Sequence, residues 1–309
     1  MVKDQVAFLF AGQGSQYIGM GKELYDAFPE SKAVFDKADK VLGFSLSGLC
    51  FAGSPEMLKG TVISQPAILT VSIAALEAFK RISGAVPSFL AGLSLGEYSA
   101  LIAAGSLTFE DGLKLVKKRA EIMDEAARRY PGKMAAVLGL PFEQVKDICL
   151  KTGAEIANIN APSQLVISGK AESVDKAANF CLEAGAKRVI ELEVSGGFHS
   201  SLMLEASGEL KEALDNFSIS APLTPVVSNY TAEPEYQIAQ IRENLIYQMY
   251  SSVKWDDSMK FILSKGILNF MEFGPGRVLK GLMRRISAQA QVISIEKKED
   301  ILSLAGEFK

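Results

Sequence analysis

A serine at position 94 lies in a glycine-bracketed turn, and the segment around it constrains the fold more than any other. Phe89–Ala91 predicts a short strand, GLSLG at 92–96 a tight turn, and the residues from Glu97 onward a helix. In such a strand–turn–helix, small flanking residues let the serine hydroxyl project outward, and the helix N-terminus offers unpaired N–H groups to negative charge. The segment favours an α/β fold with a nucleophilic Ser94; the alternative is a glycine-rich loop without chemistry.

Periodic segments before and after the middle of the chain also indicate mixed α/β structure. Val6–Phe10 is a continuous apolar run, which is typical of a buried strand, and it ends at a glycine-rich loop. Residues 64–82 and Phe109–Arg129 are predicted to be helices. The second of these carries an apolar face made by Leu113, Val116, Ala120 and Met123.

The middle of the chain predicts the order β-α-β-β-α-β, which is the ferredoxin-like pattern. The predicted elements are the strand Met134–Leu140, the helix Phe142–Lys151, the strands Glu155–Asn160 and Gln164–Gly169, the helix Ser173–Ala184 and the strand Arg188–Val194. We therefore expect a small ferredoxin-like subdomain at 130–195. It would be inserted into a discontinuous large α/β subdomain, 1–129 and 196–309, with a central, mostly parallel sheet.

Charge and cysteine content narrow the possible partners and compartments. The 309 residues include 33 Lys and Arg against 36 Asp and Glu, a net charge of −3, which does not favour nucleic acid or an anionic membrane as the main partner. Three widely spaced cysteines without a CxxC pattern argue against a disulfide framework and favour a reducing, cytoplasmic compartment. They are Cys50, Cys149 and Cys181.

The apolar stretches do not predict a membrane protein. The N-terminal run is too short for a signal peptide, and the stretches around Ala67–Phe79 and Tyr98–Phe109 are expected to be buried helices too short to cross a bilayer. A metal site is not expected either. The chain has a single histidine, which excludes a His-rich site, and no ligand spacing supports a mixed Cys/His site.

That histidine, His199, is the only imidazole available as a base for Ser94. It follows a predicted strand and the turn at 195–197, although a lone histidine is often only structural. In ordinary α/β-hydrolases the histidine comes near the C-terminus after an acid, whereas here 110 residues follow His199. No Asp or Glu between the two residues stands in a recognisable acid motif. A Ser–His dyad oriented by something other than a carboxylate is the simpler interpretation.

The loop GQGSQ at 12–16 has two possible roles beside that of a plain tight turn. A dinucleotide fingerprint fails, because Tyr17 stands where GxGxxG needs its third glycine. The other role is in an oxyanion hole, in which the backbone N–H of Gln13 would pair with that of Leu95 across the site.

These motifs, with others in the same order, resemble the malonyl-CoA:acyl carrier protein transacylase family essentially from end to end. The matching segments are GQGSQ at 12–16, GLSLGEYSA at 92–100, Arg119, NINAPSQLVISG at 158–169, GGFHS at 196–200, VVSNYTA at 226–232, Gln248 with 253–255, and EFGPGRVL at 272–279. The resemblance implies an α/β-hydrolase-like large subdomain with a ferredoxin-like insert, which agrees with the pattern read from the sequence.

The resemblance also implies roles for individual residues. Ser94 would be the acylated nucleophile, His199 its general base and acid, and the backbone amides of Gln13 and Leu95 the oxyanion hole. Arg119 would bind the malonyl carboxylate. The remaining implied roles are imidazole orientation by the backbone carbonyl of Gln248, positions near the acyl or pantetheine entrance for Asn160 and Gln164, and exclusion of a methyl branch by Phe198.

Arg119 has a second explanation apart from the resemblance, and Leu93 departs from the family's pattern. Without it, Arg119 is better explained as part of a solvated basic helix face, because Lys117 and Lys118 precede it. The family commonly has histidine immediately before the nucleophile, where this chain has Leu93. The dyad does not need that histidine, so the change bears on packing and polarity beside the turn.

The implied activity is transfer of malonyl from malonyl-CoA to the phosphopantetheine thiol of holo acyl carrier protein, for fatty acid biosynthesis. It would run through a malonyl-Ser94 ester, without a cofactor, in a monomer. A serine thioesterase or hydrolase, a polyketide-pathway acyltransferase and a non-catalytic carrier-docking subunit are the alternatives.

An acidic carrier protein would need a basic surface on this chain. The candidate basic pairs are Lys187-Arg188, Arg128-Arg129 and Arg284-Arg285, and each of them is also explained as a solvated pair.

Overall fold

The computed structural model describes residues 5–304, which form two sheets with helices around them. The strands are β1 Val6–Phe10, β2 Phe89–Gly92, β3 Gly132–Leu138, β4 Glu155–Ala161, β5 Gln164–Lys170, β6 Arg188–Glu191, β7 Val226–Val227, β8 Pro234–Glu235, β9 Asn269–Phe273 and β10 Gln291–Ile295. The α-helices are α1 Lys22–Ala27, α2 Pro29–Leu42, α3 Leu46–Ala52, α4 Pro55–Lys59, α5 Thr61–Ile82, α6 Leu95–Ala103, α7 Phe109–Arg129, α8 Phe142–Thr152, α9 Ala171–Glu183, α10 Leu204–Leu214, α11 Ile238–Gln248, α12 Trp255–Ser264, α13 Val278–Ile286 and α14 Lys298–Ser303. A short 3₁₀ helix spans Ser201–Met203.

The large sheet has the strand order β10-β9-β1-β2-β7-β8 and is parallel except at β8, as the sequence predicts. All five residues of β1 are buried, because helices cover both faces of the sheet. Phe10, at the end of β1, pairs with Gly92 of β2 and Phe273 of β9. The loops that follow these three strands therefore meet at one edge of the sheet, where open α/β sheets bind their ligands.

The second sheet is antiparallel, with the order β4-β5-β3-β6, and its elements follow the predicted β-α-β-β-α-β pattern. The largest difference from the predicted boundaries of these elements is at β6, which ends at Glu191 rather than at Val194; the other boundaries among them differ by at most two residues. The register with β3 ends at Glu191, although the Leu192 N–H still donates to Met134 O at 2.9 Å, and the side chains of Leu192 and Val194 line a cavity. The subdomain boundaries at 130 and 195 remain predictions.

Backbone hydrogen bonds join the small sheet to the segment before α12. The Val253 N–H donates to Ala157 O at 2.8 Å, and the Ile159 N–H donates to Val253 O at 2.9 Å. β4 of the small sheet is thus tied to the segment that precedes α12 of the large one. The small sheet and the loops that follow β1 and β2 both line the cavity described below.

Helix α5 corrects one sequence expectation. Its 22 residues are long and apolar enough to cross a membrane by length and composition, whereas the apolar stretch Ala67–Phe79 is expected from the sequence to be too short. The structure buries 83% of its most apolar 18-residue window inside the protein. A helix that is apolar on nearly all sides is the expected form of a core helix in a protein of this size.

Candidate active site

Ser94 lies between β2 and α6 in a strained turn that only small neighbours permit. Its φ of 51° and ψ of −100° fall outside the regions that an L-residue prefers. A Cβ on Gly92 would lie 1.9 Å from the carbonyl carbon of Gly96, and one on Gly96 would lie 2.2 Å from Phe10 O. The two glycines therefore let the turn close against β1 and hold the serine at the edge of the sheet.

His199 reaches Ser94 from a distant part of the chain. Its Nε2 lies 2.8 Å from Ser94 Oγ, and its Nδ1 lies 2.7 Å from Gln248 O. A carbonyl can only accept, so Nδ1 carries the proton and Nε2 is left to accept the serine proton. The pair is a Ser–His dyad oriented by a backbone carbonyl.

The environment of His199 keeps the imidazole neutral. Burial, with the positive charge of Arg119 as a second cause, lowers the pKa of His199 to about 4, against the opposing hydrogen bond to Gln248 O. A neutral imidazole at pH 7 is the form that a general base requires.

Arg119 is fully buried beside the nucleophile, so the solvated-face interpretation is wrong. Its Nη2 donates to Ser94 Oγ at 3.1 Å and to Gln248 Oε1 at 3.0 Å, and its Nη1 donates to Gln65 Oε1 at 2.7 Å. The guanidinium also lies 5.2 Å from the centre of the Tyr98 ring. A fixed positive charge therefore stands within hydrogen-bond distance of the reacting oxygen.

Two loops bring free backbone donors to the same place. Within residues 5–304, neither the Gln13 N–H nor the Leu95 N–H donates a hydrogen bond. The loops that carry them are in contact, since a Cβ on Gly12 would lie 2.4 Å from Leu93 O. Leu95 is the first residue of α6, so its N–H is one of the unpaired donors of a helix start. These two amides are available for an oxyanion.

Side chains that the sequence analysis gave no role connect these groups. Asn229 Oδ1 accepts the Ser94 N–H at 2.6 Å, and the Asn229 side chain donates to Gly92 O at 2.8 Å. The buried Glu97 accepts the backbone N–H of Asn229 and the Gln248 side chain, each at 2.9 Å. Glu97 lies inside the apolar segment LGEYSALIA, and a charged residue in such a segment indicates from the sequence alone that it has a buried role.

A cavity of about 700 Å³ opens onto the dyad between the two sheets. Three predicted residues, Asn160, Gln164 and Phe198, line it together with Ser94 and His199. Its other lining residues include Gln13, Leu93, Met123, Leu192, Val194 and Leu282. The volume lies in the range of small-molecule sites, and the lining is mostly apolar with a few polar groups. Gln248 and Arg119 lie behind this surface, where the dyad contacts them.

Among the described residues, no group of three or more His, Cys, Asp or Glu side chains is placed to hold a metal ion. The reacting groups of the cavity are the dyad, the guanidinium and the backbone amides. Together they can transfer an acyl group through a serine ester and hold a carboxylate close to that ester.

This fold and site define a serine-dependent acyl transferase. Residues 7–296 match the acyl transferase domain family. The chain is 48% identical, over 302 residues, to the malonyl CoA-acyl carrier protein transacylase of Bacillus subtilis (strain 168), covering 96% of this chain and 95% of that one. A crystal structure from Streptococcus pneumoniae described as MCAT has 42% identity and a TM-score of 0.92, covering 98% of this chain and all of that one.

A third similar structure holds a malonyl-transacylase with its type II PKS acyl-carrier protein. It has 36% identity and a TM-score of 0.96, and covers 98% of this chain and all of that one. The chain belongs to the acyl transferase family and, within it, to the malonyl-CoA:acyl carrier protein transacylases.

Proposed function

We propose that the protein moves malonyl from malonyl-CoA to the phosphopantetheine thiol of holo acyl carrier protein, through an ester on Ser94. The observation that carries this proposal is the position of Arg119, whose Nη2 lies 3.1 Å from the serine oxygen that would bear the acyl group. In a malonyl ester the free carboxylate carbon is three bonds from that oxygen. A guanidinium at this distance can bind that carboxylate, and an acetyl ester offers nothing in its place.

The first half-reaction forms the ester. His199 Nε2 takes the Ser94 proton as Oγ attacks the thioester carbonyl, and the Gln13 and Leu95 amides donate to the oxyanion, at roughly 3–4 kcal/mol for each donor. The C–S bond then breaks, and the imidazolium returns its proton to the CoA sulfur. Gln248 O stabilises the imidazolium through Nδ1–H.

The second half-reaction reverses these steps with the carrier thiol in the place of CoA. His199 takes the thiol proton, the sulfur attacks the malonyl ester, and Ser94 leaves with the proton of the imidazolium. The apolar side chains Phe198, Leu192 and Val194 at the cavity wall would limit the access of water to the ester. A wall of this kind favours transfer over hydrolysis.

Intact-mass measurement after exposure to malonyl-CoA tests this function. We expect a malonyl adduct that maps to Ser94, is absent from Ser94→Ala, and passes to holo carrier protein. Rapid release of free malonate with no carrier-bound product would show a thioesterase instead. An adduct that persists in Ser94→Ala would remove Ser94 from the reaction.

The pathway that uses the product, the monomeric state, the cytoplasmic location and the lack of a cofactor remain predictions. Loading assays that compare fatty acid and polyketide carrier proteins would separate the two pathways. We expect the fatty acid carrier to be the faster acceptor.

A further inference from the structure

Glu97 is a buried carboxyl group that the mechanism above does not use. It is fully buried in the first turn of α6, three residues after the nucleophile. Its Oε2 accepts two hydrogen bonds, from the Asn229 backbone and from Gln248 Nε2. Burying a carboxyl group is costly, so a residue kept at this position needs a reason beyond packing.

The Gln248 amide lies between Glu97 and Arg119. Gln248 Oε1 accepts from Arg119 Nη2 at 3.0 Å, while Gln248 Nε2 donates to Glu97 at 2.9 Å and to Ser94 O at 3.1 Å. A guanidinium can only donate, and the Glu97 oxygen acts here only as an acceptor, so the amide has one orientation that satisfies both. In the reverse orientation, two donors would face each other at Arg119 and two acceptors at Glu97.

The same glutamine also holds the base, since its backbone carbonyl accepts from His199 Nδ1. The second partner of Glu97, Asn229, accepts the Ser94 N–H through its own side chain. One carboxyl group therefore contacts both residues that anchor the dyad, and one of these also anchors Arg119.

We propose that Glu97 is a positioning residue, which acts through the Gln248 amide to hold Arg119 for the acyl carboxylate and through Gln248 and Asn229 to hold the dyad. This deepens the proposed function, because it rests on Arg119 binding the malonyl carboxylate. Glu97 is placed to touch neither substrate nor the reacting atoms. Its effect is on the choice of acyl group as well as on the rate.

Hydrogen-bond acceptance, rather than full charge, is what this role requires. Burial raises the pKa of Glu97 to about 7, against the opposing hydrogen bonds from Asn229 and Gln248 and the charge of Arg119. The second buried carboxyl group nearby, Glu235, also has a raised pKa through burial and the charge of Glu97. Within the described chain, Glu97 Oε1 has no hydrogen-bond partner, so one oxygen does the positioning.

Three substitutions of Glu97 separate the effect of side-chain length from the effect of charge. Glu97→Gln keeps an oxygen at full length and removes the charge, Glu97→Asp keeps the charge and shortens the side chain by one methylene, and Glu97→Ala removes both. Each variant is loaded with malonyl-CoA and with acetyl-CoA, and the rate of Ser94 acylation is followed by intact mass. Thermal melting reports folding, and the Gln and Asp variants decide the test if the Ala variant does not fold.

We expect Glu97→Gln to load malonyl within about threefold of the wild-type rate, and Glu97→Asp and Glu97→Ala to lose roughly 10–100-fold, because small displacements of positioned groups cost rates of that order. The loss should be larger for malonyl than for acetyl, since only malonyl uses Arg119. A role confined to stability would slow both donors equally. Combining Glu97→Ala with Gln248→Ala, which keeps the backbone carbonyl, should shift the malonyl-to-acetyl ratio no further than Gln248→Ala alone.

Equal losses with both donors, or a Glu97→Gln variant as slow as Glu97→Ala, would overturn the proposal. So would a Glu97→Asp variant that loads at the wild-type rate. Failure of the proposed function looks different: the wild-type protein would then form no malonyl adduct, or would show no preference for malonyl over acetyl.

Discussion

The buried Arg119 guanidinium is the residue from which acyl selectivity is best argued. It donates to Ser94, Gln65 and Gln248, and no carboxylate lies within ion-pair distance of it among the described residues. In the buried site, neutral hydrogen-bond partners compensate the charge of the Arg119 guanidinium only in part. A bound malonyl carboxylate would supply the missing opposite charge. Selectivity then comes from the cost of leaving that charge without its partner when acetyl is bound.

Replacing Arg119 with alanine should therefore separate the two donors. We expect Arg119→Ala to slow malonyl loading of Ser94 roughly a hundredfold or more, as the loss of about 3–5 kcal/mol from a buried ion pair implies. Acetyl loading should stay the same or increase. The measurement is the initial rate of adduct formation with each donor, with melting temperature as the folding control. An equal loss with both donors would remove Arg119 from the carboxylate role.

The depressed pKa of His199 makes a prediction about pH. The neutral imidazole is the base, so activity is lost as the pH falls through the pKa of the folded protein, which burial and Arg119 bring to about 4. We expect kcat/KM for acylation to be flat between pH 7 and about 5 and to fall below that. A carboxylate on Arg119 offsets the guanidinium charge, so the acid limb of kcat should lie at higher pH with malonyl-CoA than with acetyl-CoA.

Quenched-flow acylation between pH 3.5 and 8 would measure both limbs, with circular dichroism to confirm that the protein stays folded. The difference between donors should vanish in Arg119→Ala. A single limb near 6.5, the usual pKa of histidine, would show that burial does not control the base.

At the same scale, the sequence predicted the reacting groups and, through the family resemblance, Gln248 as the residue that orients the imidazole, but it did not predict roles for Asn229 and Glu97. The nucleophile and the base were accessible because GxSxG and a lone histidine are local signals. Asn229 and Glu97 act through contacts that span more than 130 residues of sequence, which no local pattern encodes. The sequence does carry one signal of a buried Arg119, because with Val116 and Met123 it follows the three- and four-residue spacing of the buried helix face.

At the scale of elements, the turn between β2 and α6 is fixed by close contact with β1. Gly96→Ala would place a Cβ 2.2 Å from Phe10 O, and this oxygen belongs to the backbone of the buried strand β1, so it cannot move aside as the end of a flexible side chain would. We expect a loss of at least about 3 kcal/mol in the free energy of unfolding and no detectable acylation.

A matched control lies in α10, where Gly208 is exposed and a Cβ would meet nothing within 4 Å. Gly208→Ala should stabilise the protein by about 1 kcal/mol, because alanine favours the helix, and should leave acylation unchanged. Urea unfolding and intact mass measure both variants. A stable, active Gly96→Ala protein would mean that the turn tolerates a side chain.

Most element boundaries were predictable because the hydrophobic period changes where an element ends. Helix α7 spans the predicted Phe109–Arg129, and Thr108 caps it by accepting the Asp111 N–H. The prediction failed where tertiary contact decided the boundary. Leu192 and Val194 continue the apolar pattern of β6, yet the register with β3 ends at Glu191, with one further backbone hydrogen bond from Leu192 to Met134 O, and both side chains line the cavity.

At the scale of the whole molecule, the cavity opens between two sheets, and the carrier must deliver its arm there. Helix α13 forms part of that opening, since Val278 and Leu282 line the cavity. Arg284 and Arg285 follow Leu282 by two and three residues; both are exposed, and neither has an ion-pair partner within 4.0 Å in the described chain. The pair is therefore free to meet an acidic partner.

Of the other two candidate pairs, the one at Arg128 and Arg129 lies among acidic residues. Arg128 pairs with Asp124, and Arg129 with Glu125, Glu205 and Glu209, so acidic neighbours already balance these charges. This contrast supplies a control with the same change in net charge. Reversing both arginines of one pair or of the other alters the total charge equally, but of these two pairs only the one in α13 has no acidic partner among the described residues.

We therefore expect Arg284→Glu with Arg285→Glu to raise the KM for holo carrier protein about tenfold at low salt, while malonyl-CoA still acylates Ser94 at the wild-type rate. The defect should shrink as salt is added, because exposed charges are screened beyond about 10 Å at 0.1 M ionic strength. Arg128→Glu with Arg129→Glu should leave the KM for the carrier near that of the wild type. Equal defects in the two double variants would show that net charge, and not a docking surface on α13, attracts the carrier.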